Sequence, residues 1–153
     1  MKVKEKAIIW LIDTSVLLNV LDVLGFNQER ESILREFKIR IERGDTLLLP
    51  YAAIVETGNH IAHLTGNYKF TYAEKFVKEV KAALNGSSPW KPLKFPTFED
   101  LNTWLDNFPE YAGKGIGFAD YSIIKEWEDQ KVIFAAYSIR IWSLDGELQG
   151  YET

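Results

Sequence analysis

Four carboxylates in this chain stand where an acid does more than face water. Asp13 follows six consecutive apolar residues, Ala7 to Ile12, and Asp145 closes the mostly apolar stretch Ile139 to Leu144. Glu56 lies beside Ala52, Ala53, Ile54 and Val55, and Asp120 follows Gly117, Phe118 and Ala119 where a helical pattern opens. An acid thus comes twice after a strand and twice near a helix start. In a parallel sheet, strand ends and the starts of adjoining helices share one edge, so all four can converge there. Carboxylates brought within a few ångströms of one another repel strongly, and a hard divalent cation relieves that repulsion. Each acid also has a plainer reading: Asp13, Thr14 or Ser15 caps a helix, and Glu56 sits near the positive end of a helix dipole. Four recurrences of one placement favour the shared site.

The elements that must hold these acids alternate between strand and helix. The unbroken run Ala7 to Ile12 reads as a strand covered on both faces. A helix is expected over Val16 to Leu24, interrupted at Gly25, and another over Gln28 to Arg43 with Ile33, Leu34, Phe37 and Ile41 on one face and Gly44 at its end. Thr46 to Leu49 is a short strand stopped by Pro50, followed by a helix from Tyr51 to about Leu64. Thr71 and Glu74 form a capping-box pattern for a helix bearing Tyr72, Phe76, Val80 and Leu84, closed by Asn85 and Gly86. Ser87 to Pro96 reads as a loop in which Trp90, Lys91, Lys94 and Phe95 mix positive charge with aromatic surface. Such a mixture stacks bases and meets phosphates, or simply pins an extended segment to the core. Thr97 and Asp100 make a second capping box, which assigns Asp100 to capping. After the loop of Gly113, Gly115 and Gly117, a helix runs from Phe118 to about Ala136, and the last strand is Ile139 to Leu144. The pattern predicts an α/β fold, three α/β/α layers around a central, mainly parallel sheet. It is read as a single domain over 1–153 with a helical elaboration at about 66–97.

Composition narrows the chemistry. The 153 residues are 46% apolar and 14% aromatic, enough for a full core. Cysteine is absent, so disulfides and thiolate metal sites are excluded, and any metal is held by oxygen or by the two histidines. His60 and His63 lack the spacing of a zinc site; with Asn59 they lie at helical intervals from Glu56, where they could extend the site or touch a substrate. The basic lead MKVKEK is followed by too short an apolar run for a signal peptide or a membrane span, so a cytoplasmic protein without a membrane partner is expected. A net charge of −4 argues against a general polyanion-binding surface. Setting the four acids aside leaves 18 acidic against 18 basic residues, which makes the acidity local.

These motifs resemble those of PIN domains, the family of VapC-type ribonuclease toxins. The matching pieces are Ile12-Asp13-Thr14-Ser15, Glu56, Gly117-Phe118-Ala119-Asp120 and Ile141-Trp142-Ser143-Leu144-Asp145. They span nearly the whole chain, and their order is more specific than any one of them. The resemblance implies a metal-dependent ribonuclease that hydrolyses RNA phosphodiester bonds, with RNA as partner and 5′-phosphate and 3′-hydroxyl products; exonucleolytic and endonucleolytic cutting both stay open, and a compact domain without an obvious lid favours the latter. It further implies a toxin–antitoxin pair in which a small antitoxin protein silences the site, and a homodimer. All-oxygen ligation points to Mg²⁺ or Mn²⁺. In this reading Asp13, Asp120 and Asp145 hold the metal, Glu56 positions or deprotonates the attacking water, and Ser15 and Ser143 orient the carboxylates. Asn59, His60, Lys91, Lys94 and Lys114 are candidate substrate contacts. Two rivals remain at this point. A haloacid-dehalogenase-type phosphotransferase wants a second acid two residues after the first, where Ser15 stands. A catalytically silent PIN-like scaffold would bind RNA or protein without cutting.

Overall fold

The computed structural model describes residues 6–151; most of the basic N-terminal lead, 1–5, lies outside the described residues. Four strands, β1 (Ile8–Ile12), β2 (Thr46–Leu49), β3 (Trp90–Pro92) and β4 (Ser138–Trp142), form one sheet in the order β3-β2-β1-β4, with every pairing parallel. β1 is central and wholly buried, as its uninterrupted apolar sequence requires. Ile9 pairs with Thr46 on one side and with Ile139 on the other.

Among the described residues, six helices cover the two faces: α1 (Thr14–Val20), α2 (Arg30–Arg43), α3 (Tyr51–Ala62), α4 (Tyr68–Leu84), α5 (Phe98–Gly113) and α6 (Phe118–Ile133). The strand period of two divides the core. Ile8, Trp10 and Ile12 pack with Leu17 of α1, Ile33 of α2, Ile61 of α3 and Ala83 of α4. Ile9 and Leu11 face the other way, against Ile123, Ile124 and Trp127 of α6, with Tyr111 of α5 alongside. The result is the three-layer α/β/α arrangement. Each fully buried aliphatic side chain contributes about 1.5–3 kcal/mol through removal from water, so a single truncation at Leu11 or Ile124 removes a sizeable share of a domain's stability.

Two cross-braces fix the layer that carries Asp120. The Tyr121 hydroxyl donates to the Trp104 carbonyl, tying α6 to α5. Trp127 Nε1 donates to the Ile139 carbonyl at 2.9 Å, tying α6 to β4. At the opposite edge of the sheet, buried Asp45 accepts from the Ile8 amide at 2.9 Å, Trp10 Nε1 at 2.8 Å and Arg43 Nε at 2.9 Å. Burial pushes its carboxyl upward, but the bonds from Arg43, Ile8 and Trp10 outweigh that and hold it below the usual range.

Several elements differ from the expectations, each for a physical reason. α1 stops at Val20 because Asp22 turns the chain at φ 59°, with Asn27 Nδ2 donating to its carboxylate at 2.9 Å. α4 already begins at Tyr68, so Thr71 and Glu74 lie inside it and form no cap. The stretch read as loop, Ser87 to Pro96, contains β3, where Trp90 is buried and its Nε1 donates to Glu79 at 2.8 Å. Its prolines suit the edge of the sheet, where no ladder partner is missed. α6 ends at Ile133, short of Ala136, and β4 ends at Trp142, leaving Ser143 and Leu144 to the site loop. The Thr97–Asp100 capping box is present as expected, with both bonds at 3.0 Å, and Gly44 closes α2 at φ 88°.

Candidate acidic active site

The site stands at the carboxyl edge of the sheet, where parallel strands leave their ligand crevice. β1 delivers Asp13, whose amide extends the ladder by donating to the Trp142 carbonyl at 3.0 Å. Asp13 also caps α1, accepting from the Ser15 amide, so capping and site placement coincide in one residue. β2 passes through Pro50 into α3, which carries Glu56 in its second turn. β4 ends just before Asp145, and the third residue of α6 is Asp120. Asp13, Glu56, Asp120 and Asp145 line one cavity of about 310 Å³ together with Ser15 and His60. The four acids singled out in the sequence are therefore brought together.

The two serines organise this cluster. Ser143 Oγ donates to Asp13 Oδ2 at 2.7 Å and accepts from the Asp145 amide at 2.9 Å. Ser15 Oγ reaches the same Oδ2 at 2.9 Å and accepts from the Leu144 amide at 2.9 Å. One hydroxyl pair thus locks the Asp13 carboxylate and the Asp145 loop to each other across the β1–β4 seam. Charge-assisted bonds of this kind orient a carboxylate and fix which of its oxygens stays free. Ser15 also occupies the place where a haloacid-dehalogenase-type enzyme needs its second acid, and it serves as a donor to Asp13 instead.

Asp120 carries the electrostatic cost. Burial, then the charges of Asp13, Asp145, Glu56 and Glu147, push its carboxyl up to about 7. Near neutral pH it is divided between acid and carboxylate, and a cation in the cavity would favour the charged form. Glu147 was not singled out in the sequence. One carboxylate oxygen from each of Asp120, Asp145 and Glu147 lies within 4.8 Å of the others. Glu147 is brought back by a tight turn in which its amide donates to Asp145 Oδ1 at 2.9 Å. The Asp-Gly pair at 145–146 signals such a turn and was the clue available in the sequence. An all-carboxylate donor set is of the kind that a hard, oxygen-preferring divalent cation takes.

The remaining sequence candidates are placed less uniformly. His60 borders the acidic cavity, its ring 4.9 Å from that of Phe26, whereas Asn59 is exposed and joins it only in the shallow hollow shared with Glu56 and His63. Lys91 borders a separate hollow at the amino edge of the sheet, with Ala7, Thr46 and Tyr137. Lys94 is exposed between β3 and α5, and Lys114 caps α5 with its ammonium 5.7 Å from the Tyr111 ring centroid. None of these three lysines lines the acidic cavity. Among the described residues, no helix is long and apolar enough to cross a membrane.

Fold and site together define a parallel α/β protein with a carboxylate-lined cavity at the carboxyl edge of its sheet. No protein-family model matches the chain, and no curated protein matches it.

Proposed function

We propose that this chain is a metal-dependent ribonuclease of the PIN kind, cutting RNA phosphodiester bonds endonucleolytically in the acidic cavity. The observation that carries the reading is the convergence of Asp13, Glu56, Asp120 and Asp145 on one cavity, with Asp120 pushed up to about 7 by burial and by the other acids. So concentrated a charge costs stability unless a function retains it. Asp120, Asp145 and Glu147, whose oxygens lie within 4.8 Å of one another, would hold Mg²⁺ or Mn²⁺, and Asp13, which lines the cavity but stands outside that group, would complete the set. When bound, such an ion lowers the pKa of water and stabilises charge developing on a phosphoryl group. Ser15 and Ser143 both donate to Asp13 Oδ2, which leaves Oδ1 for ligation. Glu56, on the neighbouring helix, orients the attacking water and accepts its proton.

The test is Mn²⁺- and Mg²⁺-dependent cleavage of a mixed structured RNA pool by the wild type beside Asp13→Asn, with end groups mapped. Cuts that need metal, vanish in the variant and leave 5′-phosphates support the reading. Metal binding without any cut across the pool would refute it in favour of a silent RNA- or protein-binding scaffold.

A further inference from the structure

A second cavity, of about 340 Å³, adjoins the first through Glu56, which lines both. Its character is opposite. Tyr51, Val55, Leu101, Trp104 and Phe118 form its walls, and besides Glu56 a single charged side chain, Glu126, lines it. Glu126 lies six residues after Asp120 on α6, about 9 Å along the helix axis. That span is comparable to the reach from a phosphate to the far edge of its own nucleobase. At the mouth, Tyr51 is half exposed and stands edge-on to the largely exposed Phe95, ring centroids 4.9 Å apart. Phe95 belongs to the aromatic and basic stretch whose composition suits base stacking. A core-filling explanation covers the apolar walls but not an acid among them, because an unpaired carboxyl in apolar surroundings is unfavourable. Burial, with the charges of Asp129 and Asp100, pushes Glu126 up to about 7, so at pH 8 it is mostly ionised.

Resting on the ribonuclease reading above, we propose that this cavity is a base-recognition subsite that takes one unpaired guanine of the RNA beside the scissile phosphate. Its walls stack the base, and the Glu126 carboxylate accepts from N1–H and the N2 amino group along one edge. Guanine presents two adjacent donors there. Adenine and cytosine pair their amino group with an acceptor nitrogen, and uracil flanks its single N–H with two carbonyls, so neither arrangement fits two carboxylate oxygens. Single-stranded RNA offers these edges freely, which is how unpaired bases are read elsewhere.

The test is titration of the full chain with each of the four nucleoside 5′-monophosphates at pH 8, followed by amide and indole N–H chemical shifts. Guanosine monophosphate should move the signals of Val55, Phe118 and the Trp104 indole, binding at least about fivefold more tightly than the uridine form. Glu126→Gln should reduce that ratio below about twofold while keeping the fold, and Tyr51→Ala should weaken all four nucleotides alike. Equal binding of all four, movement confined to residues of the acidic cavity, or an unchanged guanine preference in Glu126→Gln overturns the proposal. Because binding is read without cleavage, this result is independent of whether the chain cuts RNA. In the cleavage assay with Mn²⁺, Glu126→Gln should slow cutting at sites beside guanine and so lose any preference for them; a retained preference counts against the subsite and leaves the nuclease reading intact.

Discussion

Replacing Asp120 with asparagine removes the most strained charge in the cavity without changing its shape. The Asp120 carboxyl stands at about 7 against an ordinary 3.8. Taken whole, that displacement corresponds to about 4 kcal/mol of folded-state destabilisation when the group is ionised. Asp120 is only half buried, and solvent screening reduces the figure to about 1–2 kcal/mol. The sign follows from linkage: the folded state holds the Asp120 proton more tightly than the unfolded chain does. The cost is therefore absent below about pH 4, grows as pH rises toward 7, and is complete above it. In EDTA at pH 8, Asp120→Asn should unfold about 2–8 °C above the wild type for a chain of this size. The gap should close as pH falls toward 4. Saturating Mn²⁺ should reverse the order, because the wild type gains ligand-linked stability that the variant largely lacks. The assay is thermal denaturation followed by circular dichroism. A variant no more stable than the wild type at pH 8, or a gap of constant size from pH 4 to 8, would refute the reasoning that Asp120 bears the repulsion.

Other perturbations separate the roles of neighbouring groups. Ser143→Ala removes the bond to Asp13 Oδ2 and leaves the Asp145 amide without its acceptor, so Mn²⁺ affinity or cleavage should drop about 10–100-fold, with Ser143→Thr restoring most of it. Calorimetry and initial rates check this; full activity in Ser143→Ala would show that the hydroxyl does not organise the site. Glu147→Gln should weaken Mn²⁺ binding while leaving the melting temperature in EDTA equal to or above that of the wild type, as expected for an acid near Asp120 and Asp145. Asp45→Ala strips the acceptor from Ile8, Trp10 and Arg43 far from the cavity, and should cost about 3–5 kcal/mol in urea unfolding with metal affinity unchanged.

The site was legible in the sequence to the degree that single strands carried it. β1 is hydrophobic on both faces, so the position of Asp13 at its end followed from composition alone. Asp145 and Ser143 were readable from the apolar residues Ile139, Ile141 and Trp142 of β4, which they follow. Glu147 had only the Asp-Gly pair before it as a signal, because what brings it to the cluster is a turn closed by its own amide, a feature of three residues rather than of a longer pattern. β3 escaped for a similar reason: three residues with a proline carry no period, and their strand character comes from pairing with β2. Thr71 and Glu74 show the converse failure. Their spacing matches a capping box, but Tyr72, Ala73 and Phe76 pack against the core from a helix that has already begun at Tyr68. Tertiary packing decided that boundary, not the local motif. Charge and loop setting are all that the sequence shows of Lys91, Lys94 and Lys114, and neither property specifies distance to the acids.

In the proposed reading Asp120, Asp145 and Glu147, with Asp13 beside them, form one divalent-cation site. Calorimetric titration of Mn²⁺ into the wild type at pH 7, repeated in buffers of different ionisation enthalpy, tests it most directly. Saturable binding with net release of protons from Asp120 is expected, and both should be weakened or lost in Asp120→Asn. No saturable heat, or binding of equal strength and no proton release in either protein, would contradict it.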